Sequence, residues 1–218
     1  MAKQFVVLGA GRFGSSVSTT LCNLGHDVLV VDKDEELIQQ VSLKVTNAVQ
    51  ADSTSEKALK SLGIKDFDAV VLAIGTDVHA SIMTAILLVE LGANYIVAKA
   101  QTELHGRVLE KIGVNRIVFP ERDMGQRIAH SLISPSIIDL IEVSDDYSLV
   151  EVTAPKEMIG KTLQDLNIRA RYGISIIALR HHNVDQANIS PQAEDIIEEN
   201  DIIVAIGENK ALKKMEWM

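Results

Sequence analysis

The chain has 218 residues, of which 47% are hydrophobic and 23% charged, and it carries a formal net charge of −9. That balance excludes a disordered polymer, and the negative charge argues against nucleic acid as a partner, so any affinity for phosphate has to come from local groups. The length accommodates one large domain, or one of ordinary size plus a small one.

No apolar run approaches the roughly 18 to 20 residues of a membrane span; the longest helical candidate, residues 81–91, is broken by Thr84 and Glu90. Met1-Ala2-Lys3 runs directly into the first strand, so no signal peptide is expected. The single cysteine, Cys22, suits a reducing cytosol and reads as a small packing residue.

The first element is Gln4-Phe5-Val6-Val7-Leu8-Gly9-Ala10-Gly11-Arg12-Phe13-Gly14, an apolar run that stops in three glycines and gives way to a helical pattern. It reads as the strand, tight turn and helix start of a dinucleotide fold. Gly9 permits the turn, Gly11 lets the backbone approach a pyrophosphate, and Gly14 lets the helix pack closely on its strand. Phosphates then face the unpaired N–H groups and the positive dipole end of the helix. A second apolar strand, Val28-Leu29-Val30-Val31-Asp32, ends in an acid about twenty residues on, where this fold keeps a ribose-binding carboxylate.

The pattern then repeats. Helical stripes stop at Leu24-Gly25, Leu62-Gly63, Leu91-Gly92 and Ile112-Gly113, each followed by a short apolar strand. Strands are expected at about 4–9, 28–32, 47–50, 69–74, 95–100 and 115–119, alternating with helices, which implies a doubly wound, six-stranded parallel Rossmann-like sheet. Ser53 with Glu56 has the spacing of a capping box, and Asp34, Thr76 and Thr102 are candidate caps. Val17, Leu21 and Leu24 fall on one face of the first helix, and Leu104, Val108 and Ile112 on one face of the fifth. After Pro120, residues 121–133 read as a helix with Met124, Ile128 and Leu132 on one side, ended by Ser134-Pro135. With no further strand to cross to, that stripe is expected to pack on a second subunit.

From about Ile137 the pattern changes. Leu149-Val150-Glu151-Val152-Thr153-Ala154, Ile174-Ser175-Ile176-Ile177-Ala178-Leu179 and residues 201–207 read as strands, with a short helix over 161–167 between the first two. The chain is therefore expected to divide into a nucleotide-binding domain over 1–134 and a small α+β domain over 137–218.

Asp32 is the leading candidate for chemistry: its carboxylate can accept from both ribose hydroxyls, and it disfavours a 2′-phosphate, an exclusion that Lys33 softens. The plainer alternative is a strand-end acid that caps the next helix, a role for which Asp34 is also available. Arg12 is placed to lie over phosphates, or else is a solvated surface arginine. Asp52-Ser53 shares the edge of the sheet with Asp32 and can border an adenine, while Ala73-Ile74-Gly75 offers backbone groups near the switch point. Lys99 and Glu121 fall on that edge too, and an acid facing phosphates makes sense mainly with a divalent cation between them; singly, each also reads as an ordinary surface charge. His26, His79, His105 and His130 show no i, i+4 pairing, and His181-His182 sits at an expected hairpin tip, which argues against a transition-metal site. The roughly 80 residues after the nucleotide fold fall short of a catalytic partner domain, so a nucleotide sensor is favoured over a nucleotide-using enzyme.

Several segments in order carry a more specific resemblance: Gly9-Ala10-Gly11-Arg12-Phe13-Gly14-Ser15-Ser16, Val71-Leu72-Ala73-Ile74-Gly75, Val97-Ala98-Lys99-Ala100-Gln101, Val108-Leu109-Glu110-Lys111-Ile112-Gly113, Phe119-Pro120-Glu121-Arg122-Asp123-Met124-Gly125 and Ile168-Arg169-Ala170-Arg171-Tyr172-Gly173-Ile174. With these the chain resembles the RCK (regulator of potassium conductance) family, specifically the KtrA-type cytoplasmic regulatory subunits of Trk/Ktr potassium transporters. The resemblance implies dimers formed through the helix after strand six, assembled into an octameric ring at the inner face of the membrane beneath a potassium-translocating subunit. It implies ATP or ADP in the N-terminal domain, with NAD(H) a further candidate and ATP favouring the active transporter. Phe13 lies within the matched glycine turn; Arg12 corresponds to the arginine near the phosphates, Asp32 to the ribose acid, and Glu121 to the glutamate tied to a divalent cation, Mg or Ca, near the terminal phosphate. For the smaller domain it implies cyclic di-AMP bound between two subunits, with Asn167, Ile168, Arg169, Ala170, Ile174, Ile176 and Pro191 in the matching region. The rival readings are a small NAD-dependent oxidoreductase and a structural oligomer with a vestigial nucleotide site.

Overall fold

The computed structural model describes residues 2–133, 137–182, 184 and 186–218. The chain packs as two compact units, Met1–Glu121 and Arg122–Met218.

In the first unit β1 (Gln4–Leu8) leads into α1 (Arg12–Asn23), followed by β2 (Asp27–Asp32), α2 (Glu35–Ser42), β3 (Asn47–Gln50), α3 (Glu56–Ser61), β4 (Ala69–Leu72), α4 (Val78–Glu90), β5 (Ile96–Lys99), α5 (Glu103–Ile112) and β6 (Arg116–Val118). The strands form one sheet in the order β3-β2-β1-β4-β5-β6, and every pairing is parallel. This is the doubly wound sheet expected from the repeat, with its order reversing between β1 and β4. The strands are continuous apolar runs because both faces of the sheet are covered. Val6 and Leu8 point into a core with Leu59, Leu88 and Leu109, while Val7 points into the opposite core with Ile38 and Val41.

The four glycine stops are all left-handed, with φ of 83° at Gly25, 67° at Gly63, 74° at Gly92 and 106° at Gly113. Two expected caps are corrected. The N-cap of α3 is Ser55, which accepts from the Ala58 N–H, while the Ser53 hydroxyl faces Thr84 instead. The N-cap of α4 is Asp77 rather than Thr76, because a carboxylate accepts the Ala80 N–H at 2.9 Å. Asp34 and Thr102 cap α2 and α5 as expected. Two expected apolar faces are also adjusted: Leu24 and Leu104 are 68% and 63% exposed, and α5 buries His105, Gly106 and Leu109.

In the second unit α6 (Pro120–Ile133), which begins just before it, is followed by β7 (Ile137–Glu142), β8 (Tyr147–Thr153), α7 (Leu163–Leu166), α8 (Ile168–Tyr172), β9 (Ser175–Arg180), β10 (Asn188–Ile189), β11 (Ile202–Glu208) and α9 (Asn209–Lys214). The expected Ser134-Pro135 stop lies outside the described residues. The strands form an antiparallel sheet in the order β10-β9-β11-β8-β7. Its core holds Val150, Val152, Ile174, Ile203, Leu212 and Trp217, all essentially inaccessible. The helix expected over 161–167 is present as α7, and a second short helix, α8, follows it directly, because Asn167 takes a left-handed conformation (φ 43°) that ends the first before the second begins. β7 and β10 are strands beyond those expected from the sequence.

Candidate functional site

The site is built at the point where the strand order reverses. Gly9 ends β1 with φ of 108° and donates to the Val31 carbonyl at 2.8 Å, so the turn is tied to the end of β2. A Cβ on Gly14 would lie 1.8 Å from the Gly9 oxygen, which is why only glycine lets α1 start so close to its strand. Gly11, the N-cap of α1, has nothing within 4 Å of where a Cβ would stand. The turn is therefore closed by Gly9 and Gly14 and open at Gly11. The N–H groups of the first turn of α1 have no partner within the helix and leave an anion-attracting end beside it.

A cavity of about 990 Å³ opens over this turn. It is lined by Gly9, Gly11, Arg12, Phe13, Asp32, Lys33, Asp52, Ser53, Ala73, Ile74, Gly75, Lys99 and Glu121, thirteen of the fourteen nucleotide-site candidates read from sequence; Gly14 lies behind the wall and acts through packing. Its volume is at the upper end of ordinary small-molecule sites.

The acids and bases of the cavity are held in fixed positions. Asp32 Oδ2 accepts from the Ala10 N–H at 2.6 Å and Oδ1 from the Asp34 N–H at 2.9 Å. Each carboxylate oxygen accepts more than once, so this orientation leaves acceptor capacity for a diol. Asp52 accepts from both the hydroxyl and the backbone N–H of Thr54, and those bonds hold its pKa below the ordinary carboxylate value. Lys99 Nζ donates to Glu121 Oε1 at 2.5 Å; this bond holds the pKa of Glu121 below its ordinary value. The Lys99 ammonium also lies 5.9 Å from the centre of the Phe13 ring, and a Cβ on Gly75 would meet it at 3.1 Å. A cation is thereby set against the end of β4, between the glycine turn and an acid. Glu121 itself is the second residue of α6 rather than the end of β6.

Sequence reasoning missed Val31, Asp34, Leu37, Thr54, Thr76, Asp77, His79, Ala80, Met83 and Gln101, which line the same cavity. Asp77, His79, Ala80 and Met83 come from the start of α4, the helix that follows the switch-point strand, and a reading that asked which helix starts there would have found them.

In the second unit the candidate residues fall on α8, β9 and the segment after β10. Asn167 joins the two short helices; Arg169 and Ala170 are exposed, Ile176 and Pro191 half-buried, and Ile168 and Ile174 sit in the core. Of the remaining histidines, His105 is buried with its pKa lowered by burial, and Nε2 has no partner among the described residues. His26 accepts from the Lys3 N–H, and the side chain of His130 lies outside the described ones. His181 sits 3.0 Å from Asp201.

Comparison with known proteins places these features in a family. Residues 5–120 match the TrkA-N domain and residues 147–216 the TrkA-C domain. The chain is 45% identical over 214 residues to the Ktr system potassium uptake protein A of Bacillus subtilis, covering 98% of this chain and 96% of that one. It is 43% identical over 216 residues to protein C of the same system, covering 99% and 97%. Among solved structures, the RCK domain of the GsuK channel superposes with a TM-score of 0.71 at 19% identity, over all of this chain and 47% of that one. The NAD-bound GsuK channel gives 0.69 at 19% identity, over all of this chain and 39% of that one. These two likenesses concern the fold. The curated relatives are named for potassium uptake and not for a reaction.

Proposed function

We propose that this chain, which belongs to the TrkA-N/TrkA-C family that includes the Ktr potassium uptake proteins, is the nucleotide-sensing regulatory subunit of a membrane potassium transporter. The observation that carries this reading is the cavity over the glycine turn, with an acid oriented at the end of β2 and a cation set against the end of β4.

The resident ligand is ATP or ADP, with NAD(H) as a further candidate. Asp32 takes the ribose, Asp52 and Ser53 border the adenine, and Arg12 with the start of α1 takes the phosphates. The chemistry of the wall fits a divalent cation accompanying a third phosphate. Glu121 is ionised and its side chain 70% exposed, with Lys99 on one of its two oxygens, and a single carboxylate together with phosphate oxygens is a usual set for Mg²⁺. A cation there neutralises charge at the terminal phosphate.

Regulation follows from differential binding: a nucleotide changes the transporter only by as much as it prefers one arrangement of the assembly over another. The assembly is a dimer through α6, where Met124 and Leu132 present apolar side chains to solvent at 50% and 76% exposure, built up into an octameric ring. That ring works at the cytoplasmic face of the membrane, against a potassium-translocating subunit. No described helix is long and apolar enough to cross a membrane, which fits a chain held there by its partner. In the second unit, Asn167, Ile168, Arg169, Ala170, Ile174, Ile176 and Pro191 are the proposed contacts of cyclic di-AMP between two subunits.

A thermal-shift panel with ATP, ADP, NADH and cyclic di-AMP, with and without Mg²⁺, tests the reading, because selective binding to the folded form raises apparent stability. Protection by ATP and ADP, with Mg²⁺ altering only the ATP response, is expected. A chain that no nucleotide protects, or that turns NADH over, would overturn it.

A further inference from the structure

The geometry points to a second ligand site, remote from the glycine turn: a divalent-cation site of the zinc class formed by His181, Glu198 and Asp201 in the smaller unit. The three side chains offer ligand atoms that all lie within 4.8 Å of one another. Their spacing in the sequence does not reveal this, because two strands bring them together. Ile202 of β11 pairs with Arg180 of β9, so the antiparallel register continued by one residue sets Asp201 opposite His181. Directly opposite residues have Cβ atoms about 5 Å apart, close enough for both to hold one ion.

The third ligand is placed by a separate anchor. Ile197 is fully buried, its N–H donates to the Lys161 carbonyl and its carbonyl accepts from the Gly160 N–H. Glu198 is thus fixed at the backbone, and its N–H donates to Asp201 Oδ2 at 2.7 Å.

One observation favours a ligand over a plain ion pair, and the spacing of the pair permits it. Asp201 is 0% exposed, yet its Oδ1 has no hydrogen-bond partner among the described residues. A buried carboxylate oxygen left without a donor is costly, and a cation is one of the few groups that satisfies it. His181 Nδ1 lies 3.0 Å from Asp201 Oδ2. A tetrahedral zinc with ligand bonds of about 2.0–2.1 Å separates neighbouring ligand atoms by about 3.3 Å, so small side-chain shifts open room for an ion beside His181 Nδ1, with Oδ1 of Asp201 turned to ligate it while Oδ2 keeps the Glu198 N–H. In that state the Nδ1 proton resides on Nε2 or leaves to solvent.

A mixed imidazole and carboxylate set suits Zn²⁺ better than Mg²⁺ or Ca²⁺, which prefer oxygen alone. The exposed Glu198 and the part-exposed His181 give an ion access from solvent, with water as the fourth ligand. A bound ion would tie the end of β9 to the start of β11 and to the strap over 196–198, making the stability of the smaller unit depend on the metal.

The test uses the full chain, stripped with a chelator and free of nucleotide. Zn²⁺ is titrated calorimetrically and Co²⁺ by visible absorption, with Glu198→Gln, His181→Gln and, as a control at the other acidic site, Glu121→Gln. One Zn²⁺ per chain is expected, with a Co²⁺ spectrum of a four-coordinate N/O site. Affinity should fall by at least about tenfold in the first two variants and stay unchanged in the third. Far-UV circular dichroism checks that each variant is folded; should His181→Gln not fold, the exposed Glu198→Gln decides. No Zn²⁺ binding, or unchanged affinity in either folded variant of the triad, would overturn the proposal. Nucleotide binding is untouched by these outcomes, so the two readings fail separately.

Discussion

Gly11 and Gly14 are three residues apart in one motif, yet alanine at each should fail in a different way. A Cβ on Gly14 stands 1.8 Å from the Gly9 oxygen, where real contacts stay beyond about 3 Å, so the backbone must give by more than 1 Å. Gly9 has nowhere to retreat. Its N–H is bonded to Val31 at 2.8 Å and its own Cα region abuts Ala73, against whose backbone a Cβ would come to 3.1 Å. Overpacking against backbone costs about 3 kcal/mol or more, a fall in melting temperature of roughly 10 °C for a unit of this size. Gly11 has φ −65° and open space around its missing Cβ. For Gly11→Ala the stability gained by lowering the entropy of the unfolded chain and the small loss at an N-cap offset each other to within about 1 kcal/mol. Its methyl, however, projects where the phosphates must approach, and should weaken ADP by at least tenfold, about 1.4 kcal/mol. Calorimetric melting of both variants, followed by ADP titration of Gly11→Ala, separates the two effects. A Gly11→Ala protein that melts as low as Gly14→Ala, or binds ADP as the parent does, would show that the two glycines do not divide packing and phosphate access between them.

Glu121→Gln keeps the shape of the Lys99 partner and removes its charge, so ADP affinity should stay within about twofold while the Mg²⁺ enhancement of ATP binding is lost; equal losses for both nucleotides in calorimetry would defeat that division of roles. His105 is kept neutral by burial, with its pKa below the ordinary 6.5. As the pH falls below about 6.5 the unfolded chain takes up a proton that the folded chain refuses, so the first unit should lose stability there, and His105→Gln should flatten that part of the curve of melting temperature against pH. Leu132→Asp places a charge on the exposed stripe of α6 and should shift light scattering towards the monomer without lowering the melting temperature of the first unit.

The alternation of strand and helix was legible because each Leu-Gly or Ile-Gly stop has a physical cause that is local: a left-handed residue ends a helix, and glycine is the residue that takes it without strain. What depends on distant chain was less so. Ser53 resembled a cap, but Thr84 of α4 competes for its hydroxyl, and the cap lies two residues later, at Ser55. β7 escaped because a register shift between Ile137 and Asp139 breaks the period-two pattern that marks a half-buried strand. β10 is two residues long and carries no pattern at all. On α5 the stripe of Leu104, Val108 and Ile112 is the more apolar face by composition, although the helix buries His105, Gly106 and Leu109. The candidate cavity was legible at the strand ends, where fold logic fixes the position, and less so at His79 and Met83, which the first turns of α4, the helix after the switch-point strand, bring in. The approach of His181 to Asp201 depends on the register of β9 against β11, which no local pattern encodes.

The cavity over the glycine turn is proposed to hold an adenine nucleotide through the acid at the end of β2. Isothermal titration of ADP into the full chain and into Asp32→Asn tests it most directly. One ADP per chain is expected, with affinity at least tenfold lower in the variant because an amide offers the ribose one acceptor oxygen where the carboxylate offers two. Absence of binding by the parent chain, or equal affinity in the two, would contradict the claim.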